Sequence, residues 1–82
     1  MKIFSEVSDE EIEIKYKLIS NNIKKIRKEK HITQEEIAFN MGFTTATFYT
    51  NAENCHQGKH FNLEHLIKLS TLLDVPIQDF FI

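Results

Sequence analysis

The ten residues TQEEIAFNMG, from Thr33 to Gly42, constrain the fold more than any other part of the chain. Thr33 followed three residues later by Glu36 is a capping box, which predicts that a helix begins at Gln34. Gly42 predicts its end after Met41, because glycine adopts the left-handed backbone with which a chain leaves one helix and turns into the next. The side chains that face inward from this short helix are predicted to be Ile37, Ala38 and Met41.

A longer helix is predicted before this segment. Apolar side chains recur there at spacings of four, three, four and three residues, which places them on one helical stripe. They are Ile12, Tyr16, Ile19, Ile23 and Ile26. Ser8 and Glu11 form a plausible second capping box, so we predict the helix from about residue 9 to about residue 30. The run EIEIKYKL at 11–18 alternates like a strand, but a lone strand has no evident pairing partner, and we favour the helix.

The segment after Gly42 predicts a third helix and then a loop. Thr44 or Thr45 can cap a helix that runs to about Ala52, after a turn of three or four residues. The following stretch, NCHQGKHF at 54–61, is polar and contains the second and last glycine of the chain. These signals place two helices in sequence across a tight turn, which is the arrangement of a helix-turn-helix.

Two more helices are predicted in the last twenty residues, because Asn62 can cap one and Pro76 suits the first position of a final short one. The predicted fold is therefore all-α, a compact five-helix domain over residues 19–82. Residues 1–18 are an N-terminal extension that can lengthen the first helix.

The composition excludes several classes of protein. The first ten residues lack the basic-then-apolar pattern of a signal peptide, and no apolar run approaches the roughly 18 residues needed to span a bilayer. The single cysteine, Cys55, excludes an internal disulfide and fits a reducing compartment, so we expect a cytoplasmic protein. No catalytic arrangement and no phosphate-cradling glycine loop emerge, and we expect neither an enzyme nor a cofactor.

One group of residues has side chains that commonly bind metal ions. Cys55, His56, His60 and His65 carry suitable ligands, but their spacing matches no zinc-finger pattern. We therefore favour polar loop residues over metal ligands.

The helix-turn-helix can be tested position by position, counting Gln34 as position one. The motif needs apolar residues at positions four, eight, ten, fifteen and eighteen, a small residue at five and glycine at nine. The chain supplies Ile37, Met41, Phe43, Phe48, Ala38 and Gly42. The exception is position eighteen, where Asn51 stands.

With ITQEEIAFNMG followed by LEHLIKLSTLLDV, the chain resembles the phage repressor and Cro-like helix-turn-helix family, often called XRE-like. The resemblance covers residues 19–81. It implies a domain whose third helix enters the major groove of double-stranded DNA. A sequence-specific transcriptional regulator, typically a repressor that binds a palindromic operator as a homodimer, is the function it indicates. The alternative is a protein-interaction module that keeps this fold without binding DNA.

The resemblance also implies roles for individual residues. Gln34 is expected to reach a phosphate or an adenine edge. The residues expected to face bases or flanking phosphates are Thr44, Thr45, Ala46, Thr47, Tyr49 and Thr50. Arg27 is expected to pair with Glu53, although this glutamate sits one position later than in the family pattern. Together with Asn51 in an inward slot, that departure predicts an offset or bulge in the third helix.

The predicted recognition helix carries no positive charge, and the net charge of the chain is −2. Threonine can still read bases, because it offers a hydroxyl for hydrogen bonds and a methyl group for thymine. The basic stretch at 18–30 would supply attraction to the DNA backbone, and we expect contacts from Lys24 and Lys28. The same lysines could equally form a solvated helix face.

The last residues raise a separate question. Phe80, Phe81 and Ile82 could close the core or form a two-fold contact, and the family commonly dimerises through its last helix. One phenylalanine suits the core, which leaves apolar surface for a partner. We therefore predict a dimer interface at these three residues.

Overall fold

The computed structural model describes residues 6–82, so the first five residues of the predicted N-terminal extension lie outside the described part. Residues 6–82 contain four α-helices: α1 at Asp9–Glu29, α2 at Gln34–Asn40, α3 at Thr47–Glu53 and α4 at Leu63–Leu73. Short 3-10 helices follow α3 at His56–Gly58 and end the chain at Ile77–Phe81. Residues 6–82 contain no strand, so the all-α prediction is confirmed, with a 3-10 turn as the fifth helix.

Helix α1 continues without a break through the segment that alternates like a strand. The Ser8 side chain caps its start, because its hydroxyl accepts a hydrogen bond from the Glu11 backbone N–H at 3.1 Å. Only the second half of α1 reaches the core, where Ser20, Ile23 and Arg27 are buried. The first half extends beyond the core and keeps much of its apolar surface exposed.

Helices α2 and α4 both begin with a complete capping box. At α2, Thr33 and Glu36 exchange the two expected bonds, at 3.1 and 3.3 Å. At α4, Asn62 accepts from the His65 backbone at 2.9 Å while the His65 ring nitrogen Nδ1 accepts from the Asn62 backbone at 3.0 Å. Burial lowers the pKa of His65, which favours the neutral ring that this bond requires.

The C-terminal 3-10 helix packs against α1 and α4, and it places Phe80 in the core with no exposed surface. The Asn22 side chain of α1 holds this end of the chain by donating to the carbonyls of Phe80 at 3.0 Å and Ile82 at 2.8 Å. The prediction of Phe80 as a dimer-interface residue is therefore corrected: its ring fills the core. Phe81 and Ile82 are exposed.

No helix within residues 6–82 is both long enough and apolar enough to cross a membrane.

Candidate nucleic-acid interface

The connection between α2 and α3 is longer than predicted. Six residues, 41–46, separate the two helices, and Gly42 takes a left-handed backbone with φ of 100°. Ala46 precedes the first residue of α3 and makes no side-chain cap, so the predicted cap by Thr44 or Thr45 is wrong. Thr45 instead accepts a weak hydrogen bond of 3.4 Å from the Thr47 backbone within the turn.

The buried face of α3 is shifted toward later residues than the motif predicts. Tyr49, Ala52 and Glu53 are buried, whereas the motif places positions fifteen and eighteen, Phe48 and Asn51, inward. Both of the latter are only half-buried, although the Phe48 ring still packs against the core. The shift accounts for the two departures seen in the sequence, a glutamate one position late and an asparagine in an inward slot.

Tyr49 is the residue most affected by this shift. Its side chain has no exposed surface, and its hydroxyl donates a 2.6 Å hydrogen bond to Glu53 Oε2. The expectation that Tyr49 faces DNA is therefore corrected: it is a core residue that holds α3 in place.

A buried ion pair anchors α3 to α1. Arg27 Nε lies 2.9 Å from Glu53 Oε2, and Arg27 Nη2 donates to Glu53 Oε1 at 3.0 Å, in a two-point geometry. Arg27 Nη1 also donates to the Ile32 carbonyl at 2.6 Å, next to the start of α2. One guanidinium thus connects α1, α3 and the residues that precede α2.

Gln34 extends the network from α2 into α3. Its amide nitrogen donates to Glu53 Oε1 at 3.1 Å, and its amide oxygen accepts from the Thr50 hydroxyl at 3.3 Å. Two of the predicted DNA-contacting residues, Gln34 and Thr50, are therefore bonded to each other and fix the crossing of the two helices. Each remains partly exposed.

The network sets the charge states of its members. Burial alone would raise the pKa of Glu53, but hydrogen bonds from Arg27, Tyr49 and Gln34 outweigh it and hold that pKa below the ordinary value. The hydrogen bond to Glu53 raises the pKa of Arg27, against its burial. Burial, with the Glu53 carboxylate beside it, raises the pKa of Tyr49. The site is a carboxylate–guanidinium pair with a neutral phenol.

The stability of the protein should therefore depend on pH through Glu53. A depressed folded pKa means that the stabilisation is complete above the unfolded value of 4.5 and is lost as pH falls through the folded pKa. We expect the stability difference between wild type and Glu53→Gln, measured by urea unfolding, to be constant between about pH 8 and 6 and to shrink below about pH 4.5. A difference that stays unchanged down to about pH 3 would contradict this.

The exposed surface near the start of α3 is rich in hydroxyl groups. Thr44, Thr45 and Thr47 are exposed, and Ala46 is half-buried among them. On α1, Lys24 is half-buried and Lys28 is exposed. The threonines of this surface offer hydroxyl groups for hydrogen bonds and methyl groups for apolar contacts. No acidic residue occurs among residues 44–50.

The motif comparison missed Asn51 as a functional candidate, because it assigned this position to the core. Asn51 lies one turn after Thr47 on α3 and is half-exposed. Among residues 6–82, no side chain or backbone group is hydrogen-bonded to its amide. The position of Glu53, one residue later than in the family pattern, could have indicated this. A helix that turns Glu53 inward must turn Asn51, two residues earlier, outward.

The cysteine and histidines considered as metal ligands lie apart. The Cys55 thiol contacts the Ser20 hydroxyl at 3.6 Å, His60 stacks on Tyr16 with ring centroids 3.9 Å apart, and His65 caps α4. Within the described residues no group of three or more His, Cys, Asp or Glu could hold a metal ion.

Comparison with known proteins supports the architecture. A family model described as helix-turn-helix matches residues 23–80, which is more than two thirds of the chain. The match includes α2, the turn, α3, α4 and all members of the Arg27–Glu53 network. Searches of the curated proteins and of the solved structures found no significant match.

Proposed function

The chain belongs to the XRE-type helix-turn-helix family of DNA-binding regulators, and on this premise we propose that it is a sequence-specific repressor that binds a palindromic operator as a homodimer. The observation that carries the proposal is the exposed threonine surface at the start of α3, held in place from below by the buried Arg27–Glu53 pair. A reading surface has to be rigid if its hydrogen bonds are to discriminate between bases.

In this proposal the first turn of α3 lies in the major groove. Thr44, Thr45 and Thr47 would contact base edges and phosphates, and the Ala46 methyl group would lie against a thymine methyl. Asn51 would add an amide, which pairs with the N6 and N7 edge of adenine. Gln34 and Thr50 position this face through their mutual bond, and either can reach a phosphate at its edge.

Attraction to the phosphates is expected to be modest. Lys24 and Lys28 are the proposed backbone contacts, and the threonines contribute no charge. Because the logarithm of affinity falls with the logarithm of salt concentration by about 0.9 per neutralised phosphate, we expect a shallow slope of about −2 for each bound monomer, or about −4 for the dimer.

The proposal is tested by selecting random duplex DNA with the purified protein at about 50 mM and then about 150 mM salt, followed by titrations of the enriched sequence. We expect an inverted repeat whose half-sites are about one helical turn apart, and the shallow salt slope given above. A slope near −10 would show that the phosphate contacts are far more numerous than proposed.

Thr45→Asp is the matched loss-of-function variant. Thr45 is exposed, so an aspartate there leaves the core intact while it places a negative charge against DNA. The proposal is supported if this variant no longer enriches a DNA sequence while its circular dichroism spectrum shows an unchanged fold. If folded wild-type protein enriches no sequence at either salt concentration, the interaction module becomes the better function.

A further inference from the structure

We propose that α1 pairs with α1 of a second copy in antiparallel orientation, centred on Leu18, and that Ile14 of each copy packs beside Ile82 of the other. This inference rests on the proposed homodimer and assigns its interface. It adds the first half of α1 to the surface predicted from Phe81 and Ile82.

The apolar groups that this pairing would bury lie on one continuous side of the molecule. Ile14 is 64% exposed, Leu18 36% and Ile82 83%. Ile14, Leu18 and Asn22 follow at intervals of four residues, so they lie along neighbouring turns of one helix face. Because the Asn22 amide holds the Ile82 carbonyl at 2.8 Å, Ile82 lies about one turn from Leu18.

This side of the molecule also contains a groove that can receive a side chain. The groove lies between α1 and the C-terminal 3-10 helix and is lined by Asn22, Lys25, Ile26, Glu29, Asp79 and Ile82. Ile26 and Ile82 give it an apolar wall. Each copy therefore offers a protruding isoleucine at one end of the face and a groove at the other.

Two-fold symmetry brings these two features together. A symmetric dimer uses the same patch on both copies, so each feature must meet its complement across the axis. Residues 14 and 22 are equally far from residue 18 along α1. An antiparallel pair centred on Leu18 therefore places Ile14 of one copy at the Asn22 groove of the other, twice.

The charges of α1 fit the same orientation. Its first turn is acidic, with Asp9, Glu10 and Glu11, and basic residues occupy its second half, including Lys24, Lys25 and Lys28. Antiparallel pairing about Leu18 places Glu11 opposite Lys25 of the second copy, and Glu10 opposite Ile26, the residue next to Lys25. Parallel pairing would bring Glu11 against Glu11, and like charges at an interface oppose association.

The apolar contact is tested by sedimentation equilibrium of Ile14→Ser and Leu63→Ser. Leu63 is a matched control because it is 67% exposed and lies on α4, rather than on α1 or the C-terminal 3-10 helix. We expect wild type and Leu63→Ser to dimerise equally, and Ile14→Ser to raise the dissociation constant of the dimer at least about tenfold, since two isoleucines leave the interface. A monomeric wild type at about 200 μM, or an Ile14→Ser dimer as tight as wild type, would overturn the proposal.

The orientation is tested by exchanging the charges. Glu11→Lys and Lys25→Glu should each weaken the dimer, by about threefold or more at low salt, because each change creates two repulsive pairs. The double variant carries both changes in one chain and should restore wild-type affinity within about twofold. If the double variant is weaker than either single variant, the antiparallel pairing is wrong.

These measurements contain no DNA, so they separate the interface from the proposed function. A dimer that Ile14→Ser disrupts, without any enriched DNA sequence, would leave the interface standing and remove the repressor. An enriched inverted repeat with an Ile14→Ser protein that still dimerises would leave the repressor standing and remove this interface.

Discussion

Replacing Arg27 by methionine should lower the free energy of unfolding by about 3–5 kcal/mol, because it leaves the Glu53 carboxylate buried without its counter-charge. The Glu53 side chain has no exposed surface, so water cannot replace the two hydrogen bonds that the guanidinium supplies. A chain of 82 residues has a total stability of only about 4–12 kcal/mol. We therefore expect a variant that is partly unfolded at room temperature, as measured by urea or thermal unfolding followed by circular dichroism.

The control for this prediction replaces the whole ionic group. Glu53→Leu in the Arg27→Met background removes the unpaired charge, and Tyr49→Phe then removes the phenol that would lose its acceptor. Buried ion pairs exchanged for apolar side chains of similar volume are often neutral in stability. We expect this triple variant to recover most of the loss. If Arg27→Met alone costs less than about 1 kcal/mol, the pair contributes little to the position of α3.

Much of this fold follows from local signals in the sequence. Thr33 with Glu36 marked the start of α2, and the Gly42 turn lies where the glycine predicted it. The stripe of Ile19, Ile23 and Ile26 marked α1 against the competing strand pattern. Such signals depend only on residues a few positions apart, and for that reason they are legible without the tertiary structure.

The register of α3 is a different kind of feature. Threonines at 44, 45 and 47 offer several competing caps, and none of them decides where the helix begins. Long-range contacts decide it, because Glu53 must reach Arg27 and the large Tyr49 ring must be buried beside Phe61. Those contacts place Tyr49 inward and Asn51 outward, opposite to what the motif positions predicted.

The consequence for function can be measured at Asn51. Asn51→Asp should weaken binding to the selected operator by at least about 3 kcal/mol, or roughly 100-fold, since it removes an amide hydrogen bond to a base and places a negative charge in the groove. Asn51→Ala should cost about 1–3 kcal/mol and relax the preference at a single base pair. Fluorescence anisotropy with labelled operator and with a one-base variant would measure both effects.

Asn40→Asp is the matched control for this prediction, because it makes the same chemical change at an exposed residue. Asn40 lines the groove between the end of α2 and α4, together with Gly42, Ile67 and Thr71. We expect its effect on operator affinity to be less than about threefold, because Asn40 is not among the proposed DNA contacts and an exposed charge is screened by salt. Equal losses for the two aspartates would mean that net charge alone governs binding. If neither Asn51→Asp nor Asn40→Asp lowers operator affinity, α3 does not present Asn51 to DNA. The shifted register of α3 would then have no part in recognition.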